Sequence, residues 1–219
     1  MSKVNFDFIQ AKDIPPNGVV AVGGTLSVDT LVEAYSHGVF PWPHEGYPML
    51  WFCPPERGIL FFDELHIPKS LQKLDKKNLY TYTYNQNFHE VIHHCATAKR
   101  NGQPGTWISP EIIQAYTELH KRGLAHSLEC WRGPTLVGGI YGVKIQGVFS
   151  CESMFHLENN VSKLAILRLI EKLQSQGLKW MDVQMITPVV GSLGGRYISA
   201  EEFLNLLKTQ SRSQQVLKG

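Results

Sequence analysis

The sequence predicts an α+β fold with a mixed sheet, and three observations carry that expectation. Strand-like segments meander through His126–Arg132, Leu136–Val143 and Val148–Phe155, joined by turns at Gly133-Pro134 and Gln146-Gly147. A strongly periodic helix follows, with Ile166, Leu169, Ile170 and Leu173 at i, i+3, i+4 and i+7. Its start is set by Asn159 or Asn160 as cap and its end by Gly177. Trp180–Ile186 then reads as a strand, and Ser199-Ala200-Glu201-Glu202 is a capping-box pattern ahead of Phe203, Leu204, Leu206 and Leu207.

The segments before the meander are justified in the same way. Ser27 can cap a helix carrying Leu31, Val32, Ala34 and Tyr35, ended by Gly38. From Gly38 to Gly58 the chain reads as an apolar loop, with Pro41, Pro43, Pro48, Pro54 and Pro55 among Phe40, Trp42, Trp51 and Phe52. These aromatics either line a surface or groove or pin the loop onto the core. Asn87 can cap a short helix on Val91, Ile92 and Cys95, broken by Lys99-Arg100-Asn101-Gly102. Ser109 caps and Pro110 opens another on Ile112, Ile113, Tyr116 and Leu119, stopped by Gly123. A soft boundary between 85 and 105 gives a small α/β N-terminal domain, residues 1–95, and a second domain, residues 96–219.

Composition sets limits. The 219 residues are 43% hydrophobic and 18% charged, an ordinary globular balance able to bury a core. The net charge of +2 excludes a polycation, so contact with nucleic acid would need a local basic patch. No apolar run approaches the roughly 18 residues of a membrane span, and Met1–Asp7 lacks a signal-peptide core. The four cysteines, Cys53, Cys95, Cys130 and Cys151, form no Cys-x-x-Cys pair, which suits a reducing cytoplasm.

Few residues stand out as chemistry. Asp182 and Gln184 alternate with Met181, Val183 and Met185, so strand geometry puts the carboxylate and the amide on one face. They are either a polar pair tying down the next loop or a working couple. Glu152 sits in the apolar strand Cys151–Phe155 and needs a partner, either a structural cation or a substrate group. His89, His93 and His94 offer one i, i+4 pair without a third ligand, and read as solvated helix residues rather than a metal site. There is no Gly-x-Ser-x-Gly elbow, no phosphate loop, and no His at a telling distance from Cys151. Lys69, Lys73, Lys76 and Lys77, followed by Tyr80 and Tyr82, would lie along one helical face. That is either a solvated face or a phosphate track for a single-stranded RNA end.

The order helix, three meandering strands, helix, strand, helix is also the core of the GNAT-like acyltransferase fold. Such enzymes cradle the CoA pyrophosphate on a Gly-rich turn. Here that turn is Phe155–Lys163, without glycine and with Glu158 at the helix start, so a different acyl donor is expected.

Further matches run almost the whole chain. They are Pro16-Asn17-Gly18, Gly23-Gly24, Ala34-Tyr35, Gly38-Val39-Phe40-Pro41-Trp42, Leu50-Trp51, Gly105-Thr106-Trp107-Ile108 and Ala115-Tyr116. Leu119-His120, Ala125-His126-Ser127, Leu136-Val137-Gly138-Gly139, Glu152-Ser153-Met154-Phe155, Asn160 with Ser162-Lys163, Asp182-x-Gln184 and Ser192-Leu193-Gly194 complete the set. With these residues the chain resembles the leucyl/phenylalanyl-tRNA–protein transferases of the bacterial N-end rule.

The resemblance implies transfer of Leu or Phe, with Met as a further donor, from aminoacyl-tRNA to the α-amine of proteins beginning with Arg or Lys. Those proteins are thereby marked for degradation. Ester to amide is downhill, so no ATP, metal or cofactor is expected. An α-amine with pKa near 8 is about a tenth neutral at pH 7, unlike a Lys side chain near 10.4. The remaining work is alignment, proton removal and oxyanion stabilisation.

By matching position, Asp182 and Gln184 are implied to form the catalytic relay, Asp182 either orienting Gln184 or acting as direct base. Glu152 is implied to anchor an ammonium or guanidinium group, and Trp42 and Trp107 to flank the terminal adenosine. Tyr116 falls in the substrate-binding set, and Met154, Phe149, Ile140, Ile166, Leu169, Leu173 and Met181 match the pocket for the transferred side chain. Lys69, Lys73, Lys76 and Lys77 match the track for the tRNA acceptor stem. The chain departs from the family pattern at Thr25, at Phe52 to Glu56, at Cys151 and at Leu169 and Leu173, which bears on Leu-versus-Phe preference. The readings from other classes are a non-catalytic RNA-end binder and a CoA-dependent acetyltransferase.

Overall fold

Seven strands from both halves of the chain share one sheet in the computed structural model, which describes residues 4–6, 9–44, 46–98 and 106–216, with side chains to residue 210. The expected helix break at 99–102 and the matched Gly105 lie outside the described residues. After a 3-10 turn at Ala11–Asp13 come β1 (Val19–Val22), α1 (Val28–Ser36), β2 (Phe40–Pro41), β3 (Leu50–Phe52), β4 (Glu56–Phe61), α2 (Lys69–Asp75), β5 (Thr81–Tyr84) and α3 (Phe88–Thr97). The second half adds α4 (Pro110–Lys121), β6 (Ala125–Arg132), β7 (Thr135–Ile145), β8 (Val148–His156) and α5 (Val161–Ser175). It closes with β9 (Trp180–Gln184), α6 (Pro188–Gly191), β10 (Arg196–Ser199) and α7 (Ala200–Val216).

The caps explain the helix starts. Ser27 Oγ accepts from the Thr30 amide at 3.1 Å, and Ser109 Oγ from the Ile112 amide at 3.4 Å. The capping box is reciprocal: the Ser199 amide donates to Glu202 Oε2 at 2.9 Å and the Glu202 amide to Ser199 Oγ at 3.2 Å. Two expected caps do not cap. Asn87 occupies the N-cap position of α3 without a side-chain bond to the helix, and its own amide is drawn to Glu129 Oε1. Asn160 sits at the start of α5 in left-handed backbone, φ 66°, where its side chain makes no cap bond.

The main sheet runs β10-β4-β9-β8-β7-β6-β5 and is antiparallel except for β8 with β9. Parallel neighbours need a long crossover, and α5 supplies it. The division at residue 95 runs between β5 and β6, which are hydrogen-bonded neighbours. A second, three-stranded sheet, β1-β3-β2, takes β2 and β3 from the segment read as an apolar loop and β1 from the stretch before α1. Two- and three-residue strands with Pro41 at the edge leave too short a period for alternation to show.

Two irregularities matter for the site. Tyr141 pairs with Ser153 and Gly142 with Cys151, so Glu152 is the extra residue of a bulge in β8. Gly58 pairs with Gln184 and Ile59 with Asp182, so Val183 is the extra residue of a second bulge in β9. Bulges bend a strand and re-aim its side chains. Glycine admits both: a Cβ on Gly142 would come within 2.3 Å of the Ser150 carbonyl oxygen, and one on Gly58 within 3.1 Å of the Met185 nitrogen.

Candidate active site

Asp182 lies wholly buried beneath the bulged strands. A bare carboxylate there would cost several kcal/mol, so its partners decide what it can do. Arg57 supplies two bonds, Nε donating to Oδ1 at 2.8 Å and Nη2 to Oδ2 at 2.7 Å. Ser150 Oγ donates to Oδ2 at 3.0 Å, and the Gln184 amide to Oδ1 at 2.9 Å. Each oxygen thus receives two donors. The guanidinium is itself fixed between the Phe40 and Phe203 rings, 4.7 and 4.5 Å from their centroids, and donates Nη1 to the Gly38 carbonyl. Asp182 is saturated, with no lone pair aimed at a reactant.

What Asp182 orients is the backbone of Gln184. That residue has φ 59°, and the Met185 amide bonds back to the Val183 carbonyl at 2.6 Å, a γ-turn of the rare positive-φ kind. The turn ends β9 at Gln184, short of the Ile186 expected from alternation, and links the two residues through an amide rather than side by side on one face. The Gln184 side chain leaves in another direction, Nε2 donating to Glu152 Oε1 at 2.8 Å.

Glu152 has no cationic hydrogen-bond partner among the described residues. Its Oε2 accepts from the Tyr116 hydroxyl at 3.3 Å, and that hydroxyl lies 2.5 Å from the Tyr35 hydroxyl. Burial pushes the Glu152 carboxyl up to about 7; the Asp182 charge adds to the rise, while the Tyr35 and Tyr116 hydrogen bonds and the Arg57 charge oppose it. Burial also holds the Tyr35 and Tyr116 phenols well above their ordinary value, and the Glu152 charge reinforces it.

Glu152 and Gln184 open onto a cavity of about 210 Å³. Trp42, Trp107, Phe40 and Pro41 form one part of its wall, and Met154, Val183, Met185 and Val190 another. Among its described lining residues only Glu152 and Cys151 are ionisable, and burial raises the Cys151 thiol far from thiolate. A carboxylate and an amide beside an apolar wall and two indoles can hold an amine against an acyl group.

The comparisons with known proteins agree along the chain. A family model described as leucyl/phenylalanyl-tRNA protein transferase matches residues 59–208, and the model of that family's N-terminal domain matches residues 24–55. This chain belongs to that family. A leucyl/phenylalanyl-tRNA–protein transferase of Flavobacterium johnsoniae is 46% identical over 203 residues, 93% of this chain and 96% of the relative. One from Pseudomonas fluorescens is 48% identical over 193 residues, 88% of this chain and 85% of the relative. Such proteins are aminoacyltransferases, and so is this chain. Among solved structures, L-PGS from Bacillus licheniformis overlays with a TM-score of 0.41 at 12% identity, covering 72% of this chain and 51% of its own.

The residues expected from the transferase resemblance fall into separate places. Trp42, Trp107, Glu152, Met154 and Gln184 meet at the cavity, with Asp182 and Tyr116 directly behind. Ile140, Ile166 and Met181 are buried in the core between the sheet and α5, away from the cavity wall. Phe149, Leu169 and Leu173 line a different cavity of about 730 Å³. Lys69 and Lys73 lie on α2, but that helix ends at Asp75, so Lys76 is its cap and Lys77 follows it; all four are exposed. Arg132 lies over the Tyr80 ring at 5.0 Å and Arg168 over Tyr82 at 5.3 Å, covering faces a base would need. The loop aromatics divide: Trp51 is fully buried, donating Nε1 to the Gly23 carbonyl, while half-buried Trp42 faces the cavity.

Sequence reasoning assigned no role to Arg57, Tyr35 or Ser150. A signal for Arg57 existed, since a buried Asp182 demands a cation, but spacing cannot locate a partner 125 residues away.

Proposed function

We propose that this aminoacyltransferase moves Leu or Phe, with Met as a lesser donor, from tRNA to the α-amine of proteins that begin with Arg or Lys. The observation that carries the reading is the cavity wall, which joins Glu152 and Gln184 to two indoles and an apolar surface in a chain of this family. In the reading, Trp42 and Trp107 flank the terminal adenosine, Gln184 contacts the reacting centre, and Asp182 with Arg57 positions Gln184. Glu152 anchors the acceptor ammonium, with Tyr116 behind it.

The side chain of the donor amino acid rests against Met154, Val183 and Val190. Ile140, which faces Met154 across the β7–β8 ladder, leads on to Phe149, Ile166, Leu169, Leu173 and Met181 as the inner pocket. An apolar pocket separates neighbouring aliphatic side chains by only about 1–3 kcal/mol, so modest promiscuity follows. The exposed lysines Lys69, Lys73, Lys76 and Lys77 track the acceptor stem. Residues 1–95 contribute the indole of Trp42 and the basic track, residues 96–219 the catalytic centre.

A three-strand meander, crossover helix and parallel strand also support a GNAT-like lineage for the main sheet. The work is assigned to the cytoplasm, where it labels proteins for N-end-rule degradation, without ATP, metal or cofactor. The test is a panel of peptides beginning with Arg, Lys or Ala, and an acetylated Arg peptide, offered with Leu-, Phe- and Met-tRNA. Transfer confined to free Arg and Lys termini supports the reading. Binding of charged tRNA without labelling of any peptide defeats it and favours an RNA-end binder.

A further inference from the structure

The amine that attacks the ester must lose a proton, and the ribose oxygen that leaves must gain one. Asp182 is excluded from both tasks by geometry, since four donors occupy its two oxygens and it lies outside the cavity wall. Glu152 differs in each respect. Its bulge turns it into the cavity, its Oε1 takes a bond from Gln184 Nε2 at 2.8 Å, its Oε2 takes one from Tyr116 at a long 3.3 Å, and the Tyr35 hydroxyl also bears on it from behind. With Gln184 as its one observed donor, Oε1 retains acceptor capacity at the cavity that Glu152 lines.

We propose that Glu152 is the proton shuttle of the transfer reaction, a catalytic residue beyond its role as an anchor. The inference rests on the aminoacyl-transfer reading above. The neutral α-amine forms the C–N bond at the ester carbonyl carbon, and its surplus proton passes to the Glu152 carboxylate. The C–O bond to the ribose then breaks, and Glu152 returns the proton to the departing oxygen, leaving a ribose hydroxyl, an amide and the original carboxylate. Gln184 Nε2 fixes the carboxylate plane.

The surroundings suit a group that must change charge twice. Tyr35 from α1 and Tyr116 from α4 face it with hydroxyls, and Tyr141 from β7 acts on it with a buried hydroxyl that has no hydrogen-bond partner among the described residues. Asp182 and Gln184 face it from β9, Arg57 from β4, and the Cys151 thiol lies beside it on β8. The opposed charges of Arg57 and Asp182 are locked on each other. A carboxyl held near 7 loses and regains a proton with little driving force wasted in either direction, which is where general acid–base catalysis is most effective.

The experiment uses the full chain, Leu-tRNA and two Arg-initiated acceptor peptides whose α-amine pKa values differ. For the wild type, kcat rises with pH through about 7, a limb that stays put when the acceptor is changed, whereas the amine limb in kcat/KM moves with the acceptor. E152Q, which keeps an acceptor for Gln184, loses the fixed limb and about 10²–10⁴-fold in kcat while tRNA binding is unchanged. The proposal is overturned if E152Q keeps kcat within about threefold and raises only KM, the behaviour of a pure anchor. It is equally overturned if the wild-type kcat limb moves with the acceptor, a result independent of how the variant folds. Failure of the wild type to transfer at all would instead strike the reading on which the inference rests.

Discussion

Arg57 and Asp182 form a two-bond ion pair across 125 residues, both side chains about 1% exposed, which ties β4 to β9 directly beneath the cavity. Desolvation makes such a pair a weak source of net stability but makes either half costly alone. Asp182→Ala and Arg57→Ala should each lower unfolding free energy by about 3–5 kcal/mol in chemical denaturation, because each strands a buried charge. The double variant Arg57→Met with Asp182→Leu should fold better than either single variant and still lack transfer. Equal destabilisation of the double and the sum of the singles would contradict the pairing.

Gln184 separates positioning from folding. Gln184→Gly suits φ 59° but removes the whole buried side chain with its donor to Glu152, so relief of the backbone offsets part of the loss and stability should fall by no more than about 1–3 kcal/mol. Transfer should fall by about 10²–10³-fold with tRNA affinity unchanged, the scale of losing one donor aimed at developing charge. Single-turnover kinetics with pre-bound Leu-tRNA reads this directly.

Much of the architecture behind these residues was legible. Ser27, Ser109 and the Ser199–Glu202 box announce helix starts, because a side-chain oxygen at the cap is a local requirement that residue type reveals. The meander and the crossover helix follow from period. What composition and spacing could not show is non-local or irregular. Alternation placed Asp182 and Gln184 on one face, whereas a bulge at Val183 falls between them and a γ-turn centres on Gln184, and nothing in Met181–Met185 signals either. Glu152 was expected to find a cation or a substrate group; the buried cation went to Asp182, and phenols and an amide went to Glu152. Gly58 and Gly142 were the faint marks of the two bulges, readable only once their opposite strands are known.

Glu152 also ties stability to pH. Its folded pKa, about 7, lies above the ordinary carboxyl value, so the unfolded chain ionises first as pH rises. Below about pH 4 the group is protonated in both states and contributes nothing. Between there and about pH 7 the folded state binds the extra proton, and stability falls with rising pH by about 3 kcal/mol in all. E152Q should erase that part of the slope, making the variant more stable than the wild type at pH 8 and nearly equal at pH 4. Urea titrations at both values check the sign.

The exposed lysines on and after α2 should act on affinity and not on chemistry. Changing Lys69, Lys73, Lys76 and Lys77 to Ala should weaken tRNA binding at low salt and reduce the slope of log K against log salt by about 3, with kcat at saturating tRNA preserved. An unchanged slope would return them to a merely solvated face.

The most direct test of the central claim is mass spectrometry of an Arg-initiated peptide incubated with Leu-tRNA and the purified protein. Wild type should add one Leu residue, joined at the α-amine, and Gln184→Gly should add it at least about a hundredfold more slowly. Equal addition by both proteins, or none by the wild type while charged tRNA is bound, would contradict that claim.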